Sequence, residues 1–480
     1  MATIGSIELI ITAIVCFLFL LGFSRRKGLP IDWPIIGMLP ICFPIFGHIF
    51  DKMSDVLELT KGTFIFKGPW FIIDRNTLIT TDPTNLYHIM STNFSNYPKG
   101  HDAKLHFEAY GEFLFTKDDD EWRNHRKVAH KFFSDKQIQS LSPKVNLEII
   151  EKGLIPILDN ASQKGIILDF QDLFKRFMID STCIIATGYN HGSLGTGYSP
   201  ILKAMHDINE GILVRHILPQ TFWKLQNWLH VGKERKLLEG WKTLDSFARK
   251  YVEKIKKDQF HAINFFPHDI MKDVIKILFL GGTDTLSSSL TYFFWHVFEN
   301  PTVETIIREE IEANLSKKTE NYIFVQPEEL NKLVYLHAAL LESMRLYPPA
   351  PFQARKSIKP DILPSGHSVS SNMKVVVCSY AMGRMKFIWG EDCLEFKPDR
   401  WISEKGRILP VPSHKFATFS SGPRICPGKD MALNRLKAVA ATIIHNYDIK
   451  IIKNHPVVPT AAIILEMKYG LNVRISKRSI

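Results

Sequence analysis

The sequence predicts a mainly α-helical protein with a minor β-sheet, built as one large folding unit. Three observations lead there. Apolar residues recur at helical spacing through seven long stretches, and strand-like runs are few and short. No Gly/Ser-rich linker, internal repeat or low-complexity segment divides residues 46–480. With 45% of 480 residues hydrophobic and 23% charged, the chain can bury a large core, and wholesale disorder is excluded.

Taken in order, the chain opens on residues 4–23, apolar apart from small or hydroxyl residues and Glu8. Such a stretch matches the ~20 residues a helix needs to cross the hydrocarbon of a bilayer. Arg25, Arg26 and Lys27 follow, and positive residues tend to stay on the cytosolic side. A cleaved leader has a basic start and a shorter apolar stretch. This segment has neither, so residues 1–24 read as a transmembrane signal anchor. Residues 25–45 read as a basic, Pro-rich hinge, since Pro30, Pro34 and Pro40 oppose regular helix and favour a stiff, extended connector. Strand-like runs are 63–66, 70–74 and 373–378. Helical stretches are 146–158, 168–187, 237–257, 270–299, 303–315, 336–346 and 431–446.

Lys and Arg total 60 against 49 Asp and Glu, a net charge of +11 that suits anionic lipid or an acidic protein partner. The positive residues are scattered and no nucleic-acid motif is present, so no nucleic-acid partner is expected. Six cysteines without a Cys-x-x-Cys pair exclude a zinc motif and a dense disulfide framework. Mostly buried thiols in a reduced compartment are expected.

Five motifs stand out. Phe419-Ser420-Ser421-Gly422-Pro423-Arg424-Ile425-Cys426-Pro427-Gly428 fits Phe-x-x-Gly-x-Arg-x-Cys-x-Gly at every fixed position. Its glycines permit a tight loop, and Pro427 opens the helix that runs on to Asn446. Glu342-Ser343-Met344-Arg345 places an acid and a base on one helical face, and Phe396-Lys397-Pro398-Asp399-Arg400 follows later. Gly281-Gly282-Thr283-Asp284-Thr285-Leu286 lies inside the 270–299 helix, where each interior glycine costs roughly 1 kcal/mol against alanine. Trp122-Arg123-Asn124-His125-Arg126 puts Trp122 and Arg126 one turn apart. Each of the last four is weak alone: Glu-x-x-Arg is common on surface helices, and the glycine segment could be ordinary packing helix.

In this order and at these distances, over nearly the whole chain, the motifs resemble the cytochrome P450 family. The resemblance is nearest to the plant branch that hydroxylates fatty acids and wax alkanes, through Asp32-Trp33-Pro34, Asn96-Tyr97-Pro98-Lys99-Gly100 and Trp389-Gly390-Glu391-Asp392. It implies haem b held by the thiolate of Cys426 in a loop shaped by Phe419, Gly422 and Gly428. Trp122, Arg126, Arg355 and Arg424 would meet the haem propionates, with Lys356 able to replace Arg355. Thr285 and Asp284 would deliver protons to dioxygen, and Glu342, Arg345 and Arg400 would lock the Cys loop. It also implies insertion of one oxygen atom from O2 into an unactivated C–H bond of an apolar, long-chain substrate. Candidate pocket residues are Leu105, Phe107, Phe113, Leu280, Pro351 and Phe352. The chain has no flavin or nicotinamide fingerprint, so electrons would come from a separate NADPH-dependent flavoprotein reductase, docking on Arg123, Lys127, Lys131, Lys429 and Arg435. The expected location is the endoplasmic reticulum membrane, single-pass, with a cytosolic catalytic domain. Two features depart from the pattern: Leu286 replaces a hydroxyl residue, and the 258–272 connection is short. Two rival readings stay open, a haem-thiolate isomerase or peroxide-using enzyme and a degenerate haem-binding protein.

Overall fold

A computed structural model describes residues 28–33, 35–42, 48–70, 76–197, 199–258, 265–314, 322 and 325–478. Helices of nine residues or more are α1 (Ile49–Leu59), α2 (Asp119–Ser134), α3 (Lys136–Ile149), α4 (Ile155–Lys164), α5 (Phe170–Thr187), α6 (Pro200–Ile217), α7 (Gln220–Leu229), α8 (Gly232–Asp258), α9 (Met271–Phe279), α10 (Thr285–Glu299), α11 (Pro301–Asn314), α12 (Val334–Leu346) and α13 (Lys429–Asn446). The strands are β1 (Thr63–Lys67), β2 (Asn76–Thr80), β3 (Leu168–Asp169), β4 (Gln353–Lys356), β5 (Asp361–Ile362), β6 (Ser368–Val369), β7 (Lys374–Val377), β8 (Tyr447–Ile451) and β9 (Asn472–Lys477). They form small sheets of order β1-β2-β7-β4, β3-β9-β8 and β5-β6. The expected mainly helical fold with a minor sheet is what the chain adopts.

One cluster of buried apolar side chains runs from Phe50 to Ile475. At its centre α10 packs against α5, α12 and α13. Leu290, Tyr292, Phe293, Phe294 and Val297 of α10 are fully buried, and Phe294 stacks on Phe174 of α5 at 5.2 Å. Burying a side chain of this size stabilises by about 1.5–3 kcal/mol, so this contact fixes the helix that carries the glycine motif.

Several expected elements take a different form, each for a local reason. The 146–158 stretch is not one helix: α3 ends at Ile149, a π turn spans Ile150–Leu154, and α4 begins with Pro156 in its first turn. A proline in a continuous helix would remove an i→i−4 bond, and the wide turn absorbs that loss. The 270–299 stretch likewise divides into α9, a π turn at Leu280–Asp284, and α10. Of the expected 70–74 strand, Trp70 is a turn and 71–75 lie outside the described residues; β1 instead pairs with β2, from Thr63↔Thr80 to Lys67↔Asn76. The hinge is not simply extended, because Trp33 and Gly37 bridge and the Met38 N–H donates to the Lys67 carbonyl at 2.7 Å. Helices α6 and α7 were not foreseen. α6 buries Asp207, Asn209 and Arg215, which interrupt its apolar spacing.

The anchor expected at 1–24 lies outside the described residues. Among those described, no helix is long and apolar enough to cross a membrane.

Candidate active site

The loop before α13 is built by backbone geometry. Gly422 has φ +63°, and a Cβ there would collide with the Met90 carbonyl oxygen, so no other residue fits. The Cys426 N–H donates to the Phe419 carbonyl at 2.8 Å, closing the loop, and the Ala432 N–H takes up the Gly428 carbonyl at 2.8 Å. Cys426 therefore stands just ahead of a helix N-terminus. Burial pushes its thiol up, while a hydrogen bond from the Gly428 N–H and the charges of Arg126 and Lys429 favour the thiolate. Among the other described cysteines, Cys183, Cys378 and Cys393 are buried and free, as expected.

Beside this loop sits a surplus of buried positive charge. Arg424 lies 4.4 Å over the Trp122 ring and bonds Asp118 at 2.5 Å, but its Nε has no partner. Among the described residues Arg355, 4% exposed, donates only to the Ala354 carbonyl at 2.8 Å, and its Nε is also unpaired. Burial, then the charge of Arg424, holds Arg355 down to about 9; burial, joined by the charge of Arg126, outweighs Asp118 and Asp119 in holding Arg424 down to about 10. Arg126 is pushed down by burial, and Lys99 further still by burial, Arg424 and Arg355. Lys356 does not substitute for Arg355: neighbours on a strand face opposite ways, and Lys356 pairs with Asp102 at 3.3 Å. Lys99, unforeseen in this role, completes the group instead. Four cations around one bonded carboxylate, with two orphaned guanidinium nitrogens, fit a ligand bearing two carboxylates, as haem b does.

The π turn opens the helix at the glycines. A Cβ at Gly281 would meet nothing within 4 Å, whereas at Gly282 it would meet Thr182 at 3.1 Å. Thr285 Oγ1 donates to the Gly281 carbonyl at 2.6 Å, which leaves the hydroxyl's lone pairs free. Asp284 is 2% exposed, and its Oδ2 accepts from Asn209 Nδ2 at 2.7 Å. Leu286 is buried in the core. Arg435 braces this turn: it reaches Ser181 Oγ at 2.5 Å, Thr182 Oγ1 at 3.2 Å and the Gly282 carbonyl at 3.4 Å. That corrects its expected place on a docking face, since it is only 4% exposed.

Behind the Cys loop, the Glu342 carboxylate is fully buried and accepts five bonds. They come from Arg345 Nε (2.7 Å) and Nη2 (2.8 Å), Arg400 Nε (2.9 Å), Trp401 Nε1 (2.8 Å) and the Lys397 N–H (3.0 Å). Trp401 was not foreseen. Arg345 also gathers the carbonyls of Gly383, Cys393 and Glu395. Thr418 Oγ1 bonds the Met344 carbonyl at 3.0 Å, and Ser420 Oγ bonds Gln353 Oε1 at 2.7 Å, tying the Cys loop to α12 and β4.

Of the pocket candidates, Leu105, Phe107 and Phe352 are partly exposed, while Phe113, Leu280 and Pro351 are buried. Phe113 packs on Phe266 at 5.8 Å, in the core. His216 joins Phe107 (5.9 Å) to Phe352 (5.5 Å), and Lys374 Nζ bonds its carbonyl at 2.9 Å. Both were missed, because helix and strand positions 158 residues apart leave no shared sequence signal.

The family profile described as Cytochrome P450 matches residues 34–263 and 257–468, breaking at the short connection noted in the sequence. Among curated relatives, Alkane hydroxylase MAH1 of Arabidopsis thaliana is 42% identical, with 100% of each chain covered. Noroxomaritidine synthase of Narcissus aff. pseudonarcissus MK-2014 is 38% identical over 98% of this chain and 96% of its own. Cytochrome P450 86B1 of Arabidopsis thaliana is 35% identical over 99% and 90%.

Proposed function

Because the chain belongs to the cytochrome P450 family, we propose that it hydroxylates an unactivated C–H bond of a long-chain aliphatic substrate, a fatty acid or wax alkane. It is a monooxygenase, and its cofactor is haem b, which supplies activation of dioxygen when bound. The observation that carries the site assignment is the surplus of buried cations beside the Cys426 loop.

In this reading Cys426 gives its thiolate to the iron, and Phe419, Gly422 and Gly428 shape the loop around it. Arg126, Arg355, Arg424 and Lys99 neutralise the propionates, with Trp122 stacked beneath Arg424. Gly281 leaves room on the oxygen side. Thr285 can accept a proton at its free lone pairs and pass on its own, and Asp284 supplies the next one. Glu342, Arg345 and Arg400 hold the loop and touch no reactant. Thr285 beside an open glycine favours use of O2 over an isomerase or peroxide-using reaction.

The relative named alkane hydroxylase supports an aliphatic substrate, and the rings of Phe107 and Phe352 supply an apolar lining. His216 and Lys374 beside those rings favour the fatty acid, whose oxygen-bearing end they can bond. Electrons come from an NADPH-dependent flavoprotein reductase, drawn to exposed Lys127, Lys131 and Lys429. Anchoring at 1–24 in the endoplasmic reticulum membrane is supported by α7, which exposes Phe222, Leu225, Leu229 and, at 76%, Trp228. The decisive test is Cys426→Ser: the thiolate band of the reduced carbon monoxide complex should vanish, and an unchanged band refutes the ligand assignment. Turnover of alkanes and fatty acids with the reductase then tests the substrate, and the absence of any hydroxylated product refutes that part.

A further inference from the structure

Deep beside the π turn lies a second ionisable group that the reaction above does not use. Lys175 of α5 bonds Glu466 Oε2 at 2.7 Å, and His206 Nδ1 of α6 meets the same oxygen at 3.1 Å. Tyr292 and Ser288 of α10 hold this segment through the Glu466 and Leu465 carbonyls, at 3.3 and 2.5 Å. Asp284 and Glu466 are 2% and 3% exposed, and the ammonium of Lys175 is committed to Glu466. Among the described residues no cation bonds Asp284.

Its one partner there is Asn209, whose Nδ2 donates to Asp284 Oδ2 at 2.7 Å while Tyr110 OH donates to Asn209 Oδ1 at 2.8 Å. Oδ1 of Asp284 is left to carry a proton. The other charged groups nearby are spent elsewhere. Glu210 of α6 takes Lys233 and also faces His206 Nε2 at 3.9 Å, Lys276 of α9 takes Asp273 at 2.9 Å and Asp245 at 3.4 Å, and Arg435 of α13 reaches only the Gly282 carbonyl in this turn.

We propose that Glu466 is a positioning residue: its buried negative charge, held by Lys175 and His206, keeps Asp284 a carboxylic acid, so that Asp284 stands at the π turn as a proton donor. The inference rests on the monooxygenase reading. Two buried carboxylates with one fully committed ammonium cannot both ionise cheaply. Burial and then the charge of Glu466 push Asp284 up, while Lys175 and His206 hold Glu466 down against its own burial. His206, 35% exposed at its side chain, links the group to solvent.

The test is an infrared pH titration of the full-length holoenzyme, with Asp284→Asn identifying the carboxylic-acid band of Asp284. In the unsubstituted protein that band should persist well above the pH at which an ordinary carboxyl ionises and disappear only as pH rises further. Glu466→Gln removes the repelling charge and frees Lys175 to attract a carboxylate, so the loss should move down by about one pH unit or more. His206→Gln removes a charge that favours ionisation, and the loss should move up. The pH at which product formed per electron falls should move in the same two directions, a pattern that mere damage to packing does not give. His206→Gln is partly exposed and keeps the test open should Glu466→Gln fail to fold. A band that titrates identically in all three proteins, or no Asp284-dependent band near neutral pH, overturns the proposal. A missing thiolate spectrum in the unsubstituted protein instead refutes the monooxygenase reading and leaves the band assignment standing.

Discussion

Replacing Glu342 with alanine removes the acceptor of five hydrogen bonds at a carboxylate with no solvent exposure. Arg345, also without exposure, would keep three carbonyls but lose its counter-charge, and Arg400 would keep Asp392 and the Trp389 carbonyl. Breaking a buried pair in this way costs about 3–5 kcal/mol. At about 2.1 cal/mol/K per residue, unfolding a chain of 480 residues releases about 1 kcal/mol/K, so the melting temperature should fall by about 3–5 °C. The segment holding Phe416 and Thr418 rests on this cluster, so haem retention should fall as well. Circular dichroism melting and the haem-to-protein absorbance ratio read the two effects. Asp392→Asn is the control: its side chain is 30% exposed, and a partly exposed pair is worth about 0–1 kcal/mol. A Glu342→Ala protein that is fully haem-loaded and melts within about 1 °C of the parent refutes the assignment.

Thr285→Ala should leave haem and substrate binding intact while more reductant appears as peroxide; full product yield per electron would refute a proton-delivery role. Reversing Lys127 and Lys131 to Glu should slow reductase-driven turnover and flatten its salt dependence, since attraction between exposed charges is screened over about 8 Å at physiological ionic strength. Peroxide-supported turnover in that variant should be unchanged, and unaltered reductase kinetics would place the docking site elsewhere.

The parts of the site legible in the sequence are those whose chemistry is local. Gly422, Cys426 and Gly428 stand within one short loop, and Glu342 and Arg345 within one helical turn, so spacing alone brings them together. Trp122 and Arg126 share a turn of α2 in the same way. What spacing hides is long-range. Trp401 reaches Glu342 across 59 positions, and Glu466 reaches His206 across 260. Arg435 is hidden from a sequence reading because a basic residue on a helix is usually solvated; here its two Nη atoms bond Ser181, Thr182 and the Gly282 carbonyl inside the core. Helix α6 escaped notice for a related reason. Its buried Arg215 pairs with Glu234 at 2.8 Å and Asn209 with Asp284 at 2.7 Å, so polar residues occupy positions that apolar periodicity assigns to a core face.

The way Arg345 is satisfied bears on how the segment after Gly383 can vary. The guanidinium reads the backbone oxygens of residues 383, 393 and 395, not their side chains. A Cβ at Gly383 would collide with the Arg345 carbonyl oxygen, so that position is closed to substitution, and of the residues between 383 and 393 Trp389 is held as well, its ring centre 5.1 Å from the Arg345 guanidinium. Adding or deleting one of them shifts two carbonyls at once relative to a third. In this stretch the exposed positions Lys386, Phe387 and Glu391 are open to exchange while length is not, so one-for-one replacements there should be accepted where insertions of a single residue are not.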